Sequence, residues 1–242
     1  MLWDVDYTLA DTYGAGRRLY QLAFAEMFGG ELPPTRSMAG RTDRAIVLEV
    51  LRLAGVAEPR QHVAAFEALL IKHAPAMAEI VRATGRAMPG AAAAIEALAT
   101  IPNRQVVQSL LTGNIREMAE IKLGPLGLAE HLDLDAGAYG SASEVRADLV
   151  AVARAHAAAR YRADFSGTAT VLVGDTPLDI EAAVVSGARA VGVATGSFTI
   201  EQLAAANADV ALPSLSDTCR VVAAIAGDSP DQGATSDLVR SS

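Results

Sequence analysis

Met1-Leu2-Trp3-Asp4-Val5-Asp6-Tyr7-Thr8 opens the chain: an apolar run that ends on two carboxylates and a hydroxyl. The same grammar returns twice. Gln105-Val106-Val107-Gln108-Ser109-Leu110-Leu111 runs into Thr112-Gly113-Asn114, and Thr170-Val171-Leu172-Val173 runs into Gly174-Asp175-Thr176-Pro177-Leu178-Asp179. Polar groups at the carboxyl ends of parallel strands converge in one crevice, the place where open α/β sheets bind ligands. Asp4, Asp6, Asp175 and Asp179 meeting Thr112 there would make a site for a divalent cation and a phosphate.

Outward from these motifs the pattern divides in two. From residue 14 to residue 84 it is helical. Leu19, Leu22, Ala23 and Met27 repeat at helical spacing, as do Ile46, Val47, Val50, Leu51 and Ala54; a third helix carries Val63, Phe66, Leu69, Leu70 and Ile71. Gly29-Gly30, Pro33-Pro34, Gly55 and Pro59 separate them. After Met88-Pro89-Gly90, helices and strands alternate. Helices are expected over 90–100, 115–123, 146–160, 178–186, 200–206 and 214–226, and strands over 105–111, 132–135, 169–173, 189–194 and 208–212. Such alternation predicts an α/β domain with a parallel sheet and helices on both faces. The expected organisation is a core domain of 1–13 and 85–226, a helical insertion of 14–84, and a disordered Asp-, Ser- and Gly-rich tail of 227–242.

The bulk properties narrow the partners. Net charge is −8 and the hydrophobic fraction 51%. An acidic balance argues against a nucleic-acid or anionic-membrane surface. No apolar stretch reaches the roughly 18 residues of a membrane span, and no signal-peptide pattern opens the chain. The expectation is a cytoplasmic protein, as monomer or homodimer. The lone Cys219 excludes an internal disulfide and is read as a small buried hydrophobe. Trp3 is expected in the core. His62, His73, His131 and His156 show no metal-binding spacing, and Gly14-x-Gly16 lacks the third glycine of a dinucleotide loop.

Each motif has a chemical reading beside a bland one. A carboxylate such as Asp4 can bind Mg²⁺ or attack phosphorus, and a second acid two residues on, Asp6, can shuttle the proton. Both also suit a polar turn. Thr112, Gly113 and Asn114 lie between a strand and a helix, where a hydroxyl and free N–H groups cradle phosphate; they also suit an ordinary helix cap. Asp175 is placed for a metal. Asp179 can ligate, orient other ligands, or simply face the helix dipole. Arg41, in Gly40-Arg41-Thr42-Asp43 between two inserted helices, could reach a second anionic group of a substrate.

Taken in order, these motifs resemble the haloacid dehalogenase-like hydrolase superfamily. Asp-x-Asp-x-Thr stands at 4–8, a hydroxyl at Thr112, a basic residue after it, and Gly-Asp-x-x-x-Asp at 174–179. The resemblance covers residue 1 to about 226. It implies a three-layer Rossmann-like core with an inserted helical cap of the type that follows the first motif. It also implies Asp4 as nucleophile, and Asp6 as general acid/base that lends Mg²⁺ its backbone carbonyl. Thr112 would hold the phosphoryl oxygens, with Asp175 on the metal and Asp179 supporting it. Two positions depart from the family pattern. Tyr7 stands where glycine is usual. The third motif, usually lysine then proline, reads Ser143-Glu144-Val145-Arg146-Ala147-Asp148, so Arg146 is the candidate cation. Lys122 competes for that role, but is read as a solvated helix face.

The expected function is a Mg²⁺-dependent phosphatase of a small phosphorylated metabolite, with phosphoglycolate-phosphatase-like activity as the best precedent for this cap type. A phosphomutase on the same residues and a non-catalytic phosphate- or metal-binding relative are the alternatives. A dehalogenase is disfavoured by Asp6, the second acid that those relatives generally lack.

Overall fold

The computed structural model describes residues 1–101 and 106–226. Five short parallel strands form the central sheet: β1 (Leu2–Trp3), with β2 (Ala10–Asp11) and β3 (Arg86–Ala87) lying outside it, then β4 (Ser109–Leu110), β5 (Val171–Gly174), β6 (Arg189–Val193) and β7 (Val210–Leu212). Their order is β4-β1-β5-β6-β7. Leu2 and Trp3 pair with Ser109 and Leu110 on one side and with Leu172 and Val173 on the other. The strand that carries Asp4 and Asp6 therefore lies inside the sheet, between the strands that carry the second and fourth motifs.

Side chains alternate between the faces of a strand, so neighbours in β1 enter different cores. Trp3 packs with Val173, Val191, Leu98 and Val221, under α4 (Ala91–Ala99) and α9 (Thr218–Ala226). Leu2 packs with Leu149, Leu172, Ile180 and Leu203, under α6 (Asp148–Tyr161), α7 (Pro177–Val185) and α8 (Ile200–Ala205). With both faces covered, the strands are mostly apolar without alternation, as parallel strands are, Ser109 and Arg189 being the exceptions. α1 (Ala15–Phe28), α2 (Asp43–Leu53) and α3 (Pro59–Thr84) form a helical lobe with its own core around Leu19, Val47, Phe66 and Leu70. Ile115 and Met118, at and in α5 (Arg116–Leu123), join that core and tie the lobe to the sheet.

Four local expectations need correction. Residues 132–135 are not a strand. Although Leu-Asp-Leu-Asp alternates, Asp133 accepts a hydrogen bond from the Asp135 N–H and starts a 3₁₀ turn over Leu134–Ala136. The strand expected over 105–111 is reduced to Ser109–Leu110; Gln105 lies outside the described residues, as does the 227–242 tail. A further pair went unpredicted: β2 and β3 run antiparallel at the base of the lobe, with Asp11 and Arg86 in a 3.1 Å ion pair. Two-residue strands carry no readable period. Finally, Cys219 is exposed, because α9 turns Val221 and Ala224 inward instead. Among the described residues, no helix is long and apolar enough to cross a membrane.

Candidate active site

Asp4 leaves β1 with its N–H bonded to the Val173 carbonyl at 2.9 Å, so its side chain projects at the carboxyl edge of the sheet. The chain then turns sharply, with the Tyr7 N–H on the Ala10 carbonyl at 2.8 Å. The turn brings Asp6 to the cleft and Thr8 beneath Asp175, 3.5 Å from its Oδ1. Asp175 follows β5. Asp179 occupies the first turn of α7, where its Oδ2 accepts from the Thr176 N–H (3.0 Å) and hydroxyl (2.7 Å) in a capping box. That leaves Asp179 Oδ1 buried with no hydrogen-bond donor aimed at it. One oxygen from each of Asp4, Asp175 and Asp179 lies within 4.8 Å of the others.

Two cations are divided between the acids. Arg146 is buried just before α6. Its Nη2 stands 2.7 Å from Asp4 Oδ1 and 2.5 Å from Asp179 Oδ1, and donates to the Leu111 carbonyl at 3.3 Å. The contact with Asp179 is a buried ion pair. Lys122 is not the solvated residue it was expected to be. Its side chain is 3% exposed, and Nζ lies 2.7 and 2.6 Å from the two oxygens of Asp6 and 2.7 Å from Asn114 Oδ1. The signal was present: Ile115, Met118, Ala119, Lys122 and Leu123 fall at helical spacing on the buried side of α5, so Lys122 interrupts an apolar stripe. Asn114 Nδ2 completes the hold on Asp6 at 2.8 Å and also reaches Thr112 Oγ1 at 2.8 Å.

The electrostatics favour a metal. Burial pushes the Asp4 carboxyl up to about 7, although the Arg146 charge draws it back. Burial, with the charges of Asp179, Asp4 and Asp6, pushes Asp175 up to about 9. Carboxylates so placed ionise readily only when a cation shares them. The donor set is hard oxygen throughout, and it fits Mg²⁺. Gly196 lies close beside it: a Cβ there would stand 1.9 Å from Asp175 Oδ2 and push that carboxylate out of place.

Asp4, Asp6, Thr112, Gly113, Asn114, Lys122, Arg146 and Asp175 all line one cleft of about 440 Å³ between the sheet edge and the helical lobe. Asp179 lies behind it, reached through Arg146. Arg41 is on the cleft wall, but its Nη2 pairs with Glu49 at 2.5 Å within the lobe. Tyr20 and Asp43, which sequence reading had not singled out for the site, also line the cleft.

The family description "haloacid dehalogenase-like hydrolase" matches residues 1–183. The chain belongs to the haloacid dehalogenase-like hydrolases. Solved structures with the same fold include a hydrolase from Pseudomonas syringae, at 22% identity over 90% of this chain and 95% of that one, with a TM-score of 0.63. A predicted phosphatase from Clostridium acetobutylicum is 15% identical over 91% and 96%, with a TM-score of 0.67. A candidate beta-phosphoglucomutase from Thermotoga maritima is 16% identical over 91% and 96%, with a TM-score of 0.56. No curated protein matches the sequence. The sheet edge of this chain carries a buried acidic cluster.

Proposed function

We propose that this haloacid dehalogenase-like hydrolase is a Mg²⁺-dependent phosphatase that cleaves the phosphate monoester of a small metabolite through an aspartyl-phosphate. The observation that carries this reading is the division of labour among its acids. Asp4 lies in the buried cluster with Asp175, Asp179 and Arg146, whereas Asp6, 39% exposed, is held separately by Lys122 and Asn114.

An Asp4 carboxylate oxygen attacks phosphorus, and the bond from phosphorus to the ester oxygen breaks. Asp6 gives its proton to the departing oxygen. Asp6 then takes a proton from water, whose oxygen attacks phosphorus and returns Asp4 as a free carboxylate with inorganic phosphate. Arg146 balances charge on the transferring group, and Thr112 and the N–H groups of Gly113 and Asn114 receive its oxygens. Asp4 and Asp175, with the Asp6 carbonyl, would hold Mg²⁺, with Asp179 supporting the ion from behind, and the ion would supply the remaining neutralising charge.

The helical lobe of 14–84 serves as the cap, closing over the cleft to exclude water. Arg41, on the cleft wall, would have to leave Glu49 to meet a second anionic group of the substrate. The acidic surface and single cysteine suit a cytoplasmic enzyme. A panel of phosphate esters assayed with Mg²⁺ for free phosphate tests this reading. Isomer formation without phosphate release would indicate a phosphomutase instead. Phosphate and metal binding without turnover of any ester would indicate a non-catalytic relative.

A further inference from the structure

Asp43 is a buried carboxylate to which the proposed reaction gives no part. It opens α2 in the helical lobe, at the head of the stripe formed by Asp43, Ile46, Val47, Val50 and Leu51. An acid at a helix amino terminus is favourable, but this one does not face solvent. Its N–H donates to the Gly113 carbonyl at 2.6 Å, and its Oδ2 accepts from the Ile115 N–H at 2.7 Å. Its other oxygen accepts from the Tyr20 hydroxyl at 2.7 Å. One lobe residue thus grips the backbone on both sides of Asn114. The approach is close enough to require Gly113, where a Cβ would stand 1.9 Å from the Arg41 carbonyl.

Asn114, caught between these two contacts, is the residue whose side chain holds both Asp6 and Lys122. We propose that Asp43 is a positioning residue: by clamping residues 113 and 115 it makes the placement of Asp6 depend on docking of the helical lobe. The proposal rests on the phosphatase reading for its kinetic consequence and on hydrogen-bond geometry for its structural one. When the lobe lifts, the Ile115 N–H and Gly113 carbonyl lose their partners, and Asn114 is free to turn away from Asp6. A proton donor misplaced by about 1 Å costs on the order of 100-fold in rate. The lobe would therefore do more than cover the cleft, because docking would complete the acid/base.

The test compares full-length wild type with Asp43→Ala and Asp43→Asn. Hydrolysis of p-nitrophenyl phosphate is followed with Mg²⁺, and backbone amide exchange at Asn114 and Ile115 is measured by NMR. Asp43→Ala should lower kcat by about 10- to 100-fold. KM should change less than kcat, because Asp4 and Arg146, which carry the charge contacts to the phosphoryl group, are untouched. Exchange at Ile115 should accelerate. Asp43→Asn keeps an acceptor for the Ile115 N–H and should recover most of kcat. If Asp43→Ala fails to fold, Asp43→Ser serves, being too short to span to Ile115.

Unchanged kcat with faster exchange would overturn the proposal, as would lost kcat with unchanged exchange. If wild type turns over no ester, the phosphatase reading fails by itself. Exchange at Asn114 and Ile115 then decides the clamp, and exchange unmoved by Asp43→Ala overturns it.

Discussion

Arg146 Nη2 stands 2.7 Å from Asp4 Oδ1, joining the loop before α6 to the residue that ends β1 across 142 positions of chain. The same guanidinium reaches Asp179 at 2.5 Å and, through Nη1, the Gly40 carbonyl of the helical lobe at 3.1 Å. A planar fork can serve these partners together; an ammonium is a single point. Arg146→Ala should lower kcat/KM by roughly 10²- to 10³-fold, the usual effect of losing one preorganised charge contact. Arg146→Lys should recover only part of it. Activity within threefold of wild type in the alanine variant would remove Arg146 from the site.

Lys122 is expected to matter for a different step. Its ammonium lies on both oxygens of Asp6 and leaves Asp4 to Arg146. Lys122→Met should reduce kcat by about 10²-fold, as general acid–base contributions do. Phosphate affinity should hold. A kcat left at the wild-type level would restore the view of Lys122 as an ordinary helix residue.

For Asp4 the expectation is all-or-none. Asp4→Asn cannot form an acyl phosphate, so turnover should vanish while the fold persists. Trapping of phosphoryl label on wild type and not on the variant would locate the covalent step. Label retained by the variant would move the nucleophile elsewhere.

The raised carboxyls make stability depend on pH and metal together. Asp4 and Asp175 rise from 3.8 to about 7 and about 9, so the metal-free folded chain binds more protons than the unfolded chain across that window. Their contribution to stability is fully present below about pH 4, and falls as pH rises through 7 and then 9. In EDTA the melting temperature should fall between pH 5 and pH 9 for this reason. Mg²⁺ should restore it most at the alkaline end, where the ligands are deprotonated. A stabilisation by Mg²⁺ that is equal at both ends would mean that these carboxyls do not share the ion.

The legible parts of this molecule were those in which a polar residue ends an apolar run. Asp4, Thr112 and Asp175 stood out in that way, and the sheet brings all three to one cleft. Arg146 was readable through its place in the family's third motif, though α6, which it was expected to open, begins two positions later at Asp148. Lys122 was misjudged because ordinary lysine exposure outweighed its register with Met118 and Ala119. Leu132–Asp135 was misjudged because a carboxylate that bonds a nearby N–H competes with a ladder, and alternation alone does not reveal it. Asp43 could be seen only once the start of α2 met residues 113–115 in space, since Gly113 and Ile115 lie seventy or more residues away.

Tyr7 supplies the last prediction. Its φ is +55°, a left-handed conformation in which a side chain costs about 1–2 kcal/mol relative to glycine. The residue stays in this conformation because the Tyr7 N–H is bonded to Ala10 and its carbonyl accepts from the Thr195 hydroxyl. The residue is 43% exposed and lines the cleft. Strain retained at a site is a reason to look for function. Two substitutions separate backbone from ring. Tyr7→Ala and Tyr7→Gly both delete the phenol, but only glycine relieves the conformation. Glycine carries a larger entropy loss on folding, and it should still be the more stable of the two by up to about 1 kcal/mol in urea unfolding. Both should widen the cleft and raise kcat/KM for bulky esters relative to small ones, if the ring restricts what enters. An alanine variant as stable as the glycine one would show that no strain is held at this position. Equal selectivity in all three proteins would assign the ring no part in choosing the substrate.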